Sequence, residues 1–408
     1  MVRESRKRDL ALGLSFLFLA ISVASAPHLT LFSGQVIKQF ETYSLAESFV
    51  RGGGDPFGTM IPCDGGIRWV LEFPLFVAMS SAFVSLFPSW PALFPFVVFS
   101  LFLTALYRLR KTLDPEGGVL AWVAVAATPV FLRFSTQFLP DPFALVLLIF
   151  GVDAYLNRKW RISFFFFILA CAVKPTVLPS ILFFRWAFET ERGELEIFPK
   201  RKWSWMLGEA RALAAFAAPF VLWSFFLKIN KISSPLHEGG LLNFTSDFGI
   251  LLDPKFYSKF LVWTVFKGIG PILAGLGIWF FIRRHLLLEK CPDKCSEHHS
   301  GLIFRLSAWS LGIFPYWLIV RRLNFIHDYY SLSFFLPLAL LGAFSAQRFL
   351  PRFRGIVTIL LTVSILQGFG LFVQTALRTP HLKVEERPVF CGHEFRADAL
   401  MMHPSRVK

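Results

Sequence analysis

Apolar stretches of roughly bilayer thickness recur along the chain, separated by short joints that carry the charges, glycines and prolines. The first begins at Leu10, and others follow at residues 91 to 107, 118 to 134, 142 to 157, 162 to 173, 176 to 188, 209 to 228, 258 to 282, 303 to 320, 329 to 347 and 355 to 376. In lipid the backbone has to satisfy its own hydrogen bonds, so each stretch is predicted to be helical. The pattern therefore predicts an all-α polytopic membrane protein of about 11 transmembrane helices. One more run, Glu72 to Phe87, is short, opens with a carboxylate and contains Ser80, Ser81 and Ser85.

Charge decides how that run is read. If it stays at the surface, the segments on the N-terminal side of the membrane hold more than half of the 42 Lys and Arg, including Arg108, Arg110, Lys111, Arg158, Lys159, Arg161, Arg283, Arg284, Arg348, Arg352 and Arg354. If it crosses, those later clusters move outside, against the positive-inside bias. Residues 72 to 87 are thus expected to form a helix lying on the outer surface. The N-terminal Arg3, Arg6, Lys7 and Arg8 precede an apolar run longer than a signal core, so an uncleaved first span with a cytoplasmic N-terminus is expected over cleavage near Ala24-Ser25-Ala26. The expected division is a membrane domain over residues 1 to 376, with a first outer loop from 33 to 90, and a short extracytoplasmic tail over 377 to 408. The membrane expected is a bacterial-type inner (plasma) membrane.

Composition sharpens this picture in two places. Among 408 residues, 55% are hydrophobic, 50 are Phe, and the mean hydropathy is +0.56, more apolar surface than a soluble globule could hide. The formal charge of +15 would raise nucleic acid as a partner in a soluble protein, but here the cations sit at helix ends, where anionic headgroups hold them, and no nucleic-acid partner is expected. The five Cys are scattered and give no disulfide framework; Cys63 and Cys391 fall on the same side and could pair. Cys291 and Cys295 with His298 and His299 lack the usual zinc spacing and read as a charged loop.

Ionisable groups at membrane depth point to function by default. The outer side offers Glu41, Glu47, Asp55, Asp64 and Glu72 in the first loop, then Asp141 in Gln137 to Phe143, Lys174 between two apolar runs, and Arg321 and Arg322 before His327, Asp328, Tyr329 and Tyr330. Each also has a structural reading. Asp141 before Pro142 could cap a helix; Lys174 could snorkel to the headgroups; His327 to Tyr330 could form an aromatic belt; Glu41 could be a solvated side chain.

Taken in order, four segments resemble the GT-C superfamily of membrane glycosyltransferases that use polyprenyl-phosphate sugars, in particular the group of protein O-mannosyltransferases, the lipid A aminoarabinose transferase and RgtA/B/C/D-like enzymes. Glu41 to Gly53 is similar to the family's first-loop acidic motif, and Glu72 to Phe87 to its second juxtamembrane helix. Pro129 to Pro142 resembles the third span ending in an outer aspartate, Lys174-Pro175 its Lys-Gly or Lys-Pro turn, and His327 through Leu341 a late-span motif. Phe40 stands where the family commonly has an aspartate before the glutamate, and no large soluble C-terminal domain follows the last span.

The resemblance implies an inverting transfer from a polyprenyl-phosphate sugar donor to a lipid, glycan or protein acceptor at the outer face. Such a reaction needs a carboxylate to deprotonate the acceptor and cations to meet the leaving phosphate. Glu41 and Asp141 are the catalytic carboxylate candidates. Glu72, Lys174, Arg321, Arg322, His327, Asp328 and Tyr329 are the substrate-binding candidates. Paired carboxylates can also hold a hard divalent cation, although no metal motif is visible. A transporter or lipid flippase, or a non-catalytic relative of the enzyme, remains the alternative.

Overall fold

A computed structural model describes residues 2–24, 42, 45–46, 49–50, 61–62, 68–69, 74–87, 93–115, 118–134, 137–189, 203–230, 248–285, 297–321, 331–349, 354–378, 389–390 and 393–394. Along the chain the helices are α1 (Val2–Ala24), α2 (Leu75–Leu86), α3 (Leu93–Leu113), α4 (Val119–Ala126), α5 (Pro129–Phe134), α6 (Pro140–Leu156), α7 (Trp160–Val173) and α8 (Leu178–Glu189). After these come α9 (Trp203–Ile229), α10 (Pro254–Leu261), α11 (Pro271–His285), α12 (Glu297–Leu311), α13 (Ile313–Ile319), α14 (Leu332–Phe349) and α15 (Arg354–Arg378). Two antiparallel ladders of two-residue strands, Ile61–Pro62 with Arg68–Trp69 and Val389–Phe390 with His393–Glu394, are the β structure among the described residues.

Each of the apolar runs is occupied by one helix or by two in succession. Four described helices are long and apolar enough to cross a membrane, Leu93–Leu113, Leu207–Ile229, Gly301–Ile319 and Gly355–Gln374, with a fifth if a bent pair is one span. Leu222, Phe225, Ile359 and Leu366 on these helices, and Leu10, Leu14 and Phe18 on α1, are all exposed, as a lipid-facing surface requires. The chain is an integral membrane protein.

Two runs read as continuous are broken. Residues 118 to 134 form α4 and α5, with Ala127 and Thr128 between them, because Pro129 has no N–H to continue the ladder and opens a new helix instead. Residues 258 to 282 break at Gly270, whose φ of +85° only glycine adopts readily, ahead of Pro271. There α10 and its π-helical continuation Val262–Ile269 turn by 106° into α11. Helix α15 packs on both breaks: a methyl at Gly368 would lie 1.7 Å from the Ala127 carbonyl oxygen, and one at Gly270 would lie 3.4 Å from Gln367 Oε1.

Helices α6 and α7 form an antiparallel pair, which gives the bundle two ends. At one, Arg110 of α3, fully buried, donates to Asp9 of α1 at 2.6 Å. Beside it Asp153 of α6 accepts from Arg108 Nε at 3.1 Å, Thr112 Oγ1 at 2.7 Å and Asn157 Nδ2 at 3.0 Å. Arg185 of α8 makes a two-pronged bond to Glu209 of α9. The other end holds the remaining buried charges described below.

Helix α2 has 12 residues, which at 1.5 Å of rise per residue is about 18 Å and too short to cross a bilayer. It buries Phe76, Val77, Ser80, Ser81 and Val84 and leaves Met79 and Leu86 exposed. That division suits a helix docked on the bundle, in keeping with the surface reading of residues 72 to 87.

Candidate functional site

Helix α6 begins at Pro140 with Leu139 as its cap, so Asp141 lies inside the first turn and is not the cap. Helix α7 ends at Val173, since Pro175 disfavours a helical conformation at Lys174, whose φ and ψ are −149° and 102°. Between the two helices the chain turns within a few residues, using Arg158 at φ 58°. The resulting antiparallel hairpin brings Asp141 and Lys174, far apart in sequence, to the same level.

There Lys174 Nζ lies 3.5 Å from Asp141 Oδ2, and the two side chains are only 2% and 3% exposed. An isolated charge at this depth would be very costly; the pair is tolerable because its net charge is zero. Lys174 therefore does not snorkel. Around the first turn of α6 sits a cage of rings: Phe76 of α2 lies 5.9 Å from Phe138 and 6.2 Å from Phe143, and Phe94 of α3 lies 5.3 Å from Phe138. Helix α2 thus packs Phe76 against the segment that leads into α6 and against its first turn. Gln137, also buried, shapes the turn ahead of α6 by accepting the Leu139 N–H at 2.8 Å.

The first loop also reaches the core. Thr42, Leu45 and Ala46 are buried at helical spacing, with Phe49 packed beside the core. Glu41 itself, like Glu72, Arg322, His327, Asp328 and Tyr329, lies outside the described residues. So do Cys63, Cys391 and the side chains of the Cys291 to His299 segment. Among the described residues, no three His, Cys, Asp or Glu side chains gather as a metal ion would require.

Arg321 follows α13. Trp309 of α12 donates its indole N–H to Ser180 in the first turn of α8 at 3.0 Å, so the continuing chain emerges at the end of the bundle that holds Lys174. Arg321 is 3% exposed, donates to the Leu318 carbonyl at 3.2 Å and places its guanidinium carbon 3.8 Å from the centre of the Phe248 ring. Just below, Trp317 donates to Ser331 at 2.6 Å, tying α13 to the start of α14 across the segment that contains His327 to Tyr329. The sequence reading missed Phe248, Trp317 and Gln137. For Trp317 and Gln137 the signal was only proximity to charged candidates, and for Phe248 there was none, because Phe is so abundant in this chain.

The arrangement joins buried charges of both signs, an aromatic cage and a surface helix at one end of a helical bundle. A crystal structure of ArnT from Cupriavidus metallidurans bound to undecaprenyl phosphate superposes on this chain with a TM-score of 0.56, covering 89% of it and 75% of ArnT at 14% sequence identity. The two share a fold. No family model matches the sequence, and no curated protein is similar to it.

Proposed function

We propose that the protein is an integral-membrane glycosyltransferase that moves a sugar from a polyprenyl-phosphate donor to an acceptor at the extracytoplasmic face. The observation that carries this reading is the buried Asp141–Lys174 pair within the fold of a protein solved with undecaprenyl phosphate. In the proposed reaction the acceptor oxygen or nitrogen attacks the anomeric carbon and its proton passes to a carboxylate, Glu41 or Asp141. The bond from sugar to phosphate oxygen breaks with inversion, and polyprenyl phosphate leaves with the electron pair. Lys174, Arg321 and Arg322 stabilise the leaving phosphate, arginine being suited by its planar fork of donors. Glu72, His327, Asp328 and Tyr329 complete the substrate contacts.

In this reading the eleven helical runs are eleven passes of a bacterial-type inner membrane, with the N-terminus in the cytoplasm and the 377 to 408 tail outside. The acceptor is a lipid, a glycan or a protein. Purified protein given radiolabelled polyprenyl-phosphate sugars should release the sugar from one of them; a panel of donors left intact would defeat the proposal. The orientation is tested with Met60→Cys and Pro235→Cys, both of which should react with an impermeant reagent in intact cells. Labelling only after permeabilisation would reverse it.

Two broken spans favour a second reading, a carrier, since carriers bind substrate where helices unwind. The polar side chains turned inward at these breaks, Thr128, Thr264, Ser364 and Gln367, are neutral, Lys267 beside them is exposed, and the buried ion pair lies elsewhere. Movement of an intact lipid-linked sugar across liposomes without cleavage would favour the carrier.

A further inference from the structure

The segment before α10 has an arrangement that the reaction outlined above does not use. Phe248–Leu252 forms a single 3₁₀ stretch, and Asp253 then caps α10 by accepting the Lys255 N–H at 2.8 Å. Tyr257 ties the corner back by donating to the Leu251 carbonyl at 3.0 Å. On its inner face α10 is fixed to α13: Phe256 and Phe260 lie 5.6 and 4.9 Å from Trp317. Trp317 is one helical turn ahead of Arg321. Phe248 and Arg321 are therefore held in one frame, with Trp317 as the shared support.

A guanidinium carbon 3.8 Å from a ring centre lies over the ring face, not at its edge. In that stack the ring covers one side of a guanidinium whose Nη1 donates to the Leu318 carbonyl, and it is through its in-plane N–H groups that arginine grips phosphate oxygens. Phe248 is 73% exposed, and Leu252, Tyr257, Leu261 and Val262, farther along the same segment into the π-helical stretch, are exposed apolar side chains as well. A buried cation thus sits at the head of an apolar ramp. An anion joined directly to a hydrocarbon chain complements both parts at once; a water-soluble nucleotide sugar would complement only the cation.

We propose that Phe248 is a positioning and selectivity residue at the junction of phosphate and isoprene. It fixes the plane of the Arg321 guanidinium with one face and receives the first isoprene units of the donor with the other. The proposal rests on the polyprenyl-phosphate reading given above and adds to it the residue that makes the site choose lipid-linked donors.

The test measures binding of undecaprenyl phosphate and of geranyl phosphate to the full chain in nanodiscs, for the wild type, Phe248→Ala, Phe248→Trp, Arg321→Gln and the double variant Phe248→Ala/Arg321→Gln. Phe248→Ala should weaken both ligands by about ten-fold, from the lost stacking and apolar contact, and Phe248→Trp should retain most of the affinity. Once Arg321→Gln is present, Phe248→Ala should weaken binding less than it does alone, because the fixed plane no longer has a function. Thermal unfolding of each variant reports folding separately, and the exposure of Phe248 predicts little change. Wild-type affinity in Phe248→Ala, or fully additive effects, would overturn the role of Phe248 and leave the functional reading intact. A wild type that binds neither ligand would overturn both.

Discussion

The two ends of the bundle handle buried charge differently. At the end that holds Asp9, Arg110, Asp153, Arg185 and Glu209, Asp153 alone collects bonds of 2.7 to 3.1 Å from three neighbours. At the other end Asp141 and Lys174 face each other at 3.5 Å, where Phe138 and Phe143 flank Asp141 in sequence and pack on Phe76. The first arrangement closes charges on themselves and locks neighbouring helices. The second joins the facing ends of two consecutive helices through a carboxylate and an ammonium whose charges cancel. Buried polarity is common to both ends, and the difference lies in the groups that meet: guanidinium, hydroxyl and amide donors around Asp153, an ammonium beside Asp141.

The sharpest way to break this contrast is to replace each aspartate by its amide. Asp141→Asn should lower sugar transfer by about 10²-fold or more, the scale of a lost acid–base group, whereas Asp153→Asn should lower thermal stability and leave turnover near the wild-type rate. Equal losses of rate in the two variants would dissolve the distinction. Next in size is Lys174→Met, which removes the cation beside the buried Asp141 carboxylate and should cost about 3 kcal/mol of stability. Adding Asp141→Asn to it should recover a large part, as read from unfolding midpoints in one detergent.

Smaller effects probe the frame around the two ends. Gly368→Ala forces a methyl onto the Ala127 carbonyl and should cost about 1 to 3 kcal/mol as α15 moves off the α4–α5 break. Unchanged stability would show that this helix is free to shift. Smallest is Trp317→Phe, which keeps a ring against Phe256 and Phe260 but drops the bond to Ser331, for about 1 kcal/mol. In activity assays that variant should raise KM for the lipid donor more than it lowers kcat, since its effect reaches the substrate through Arg321 and the start of α14.

The positions of the helices were legible because hydropathy marks what lipid accepts, and every run it marked is helical. The breaks were less so. Pro129 and Gly270-Pro271 are visible in the sequence, but an apolar average passes over them, and only the packing of Gly368 and Gln367 shows that the interruptions meet one helix. The Asp141–Lys174 pair could be anticipated as the facing ends of a hairpin. Its geometry could not, which is why capping and snorkelling were reasonable readings of the same two residues. Arg110 was read only as one of many basic residues at helix ends, because sequence does not reveal which of them has been drawn into the interior, here against Asp9. The stacking of Phe248 on Arg321 joins residues brought close only by tertiary structure and has no local signature.

The short turn at Arg158 also bears on how such a protein is made. With so little chain between α6 and α7, the two helices can meet soon after synthesis, because closing a small loop sacrifices little entropy. Asp141 and Lys174, at the open end of that hairpin, are then matched as soon as α7 is complete, while the turn at its closed end carries the cations Arg158, Lys159 and Arg161. Lengthening that turn would separate the two arrivals in time, and the effect would appear as poor membrane integration before any effect on chemistry.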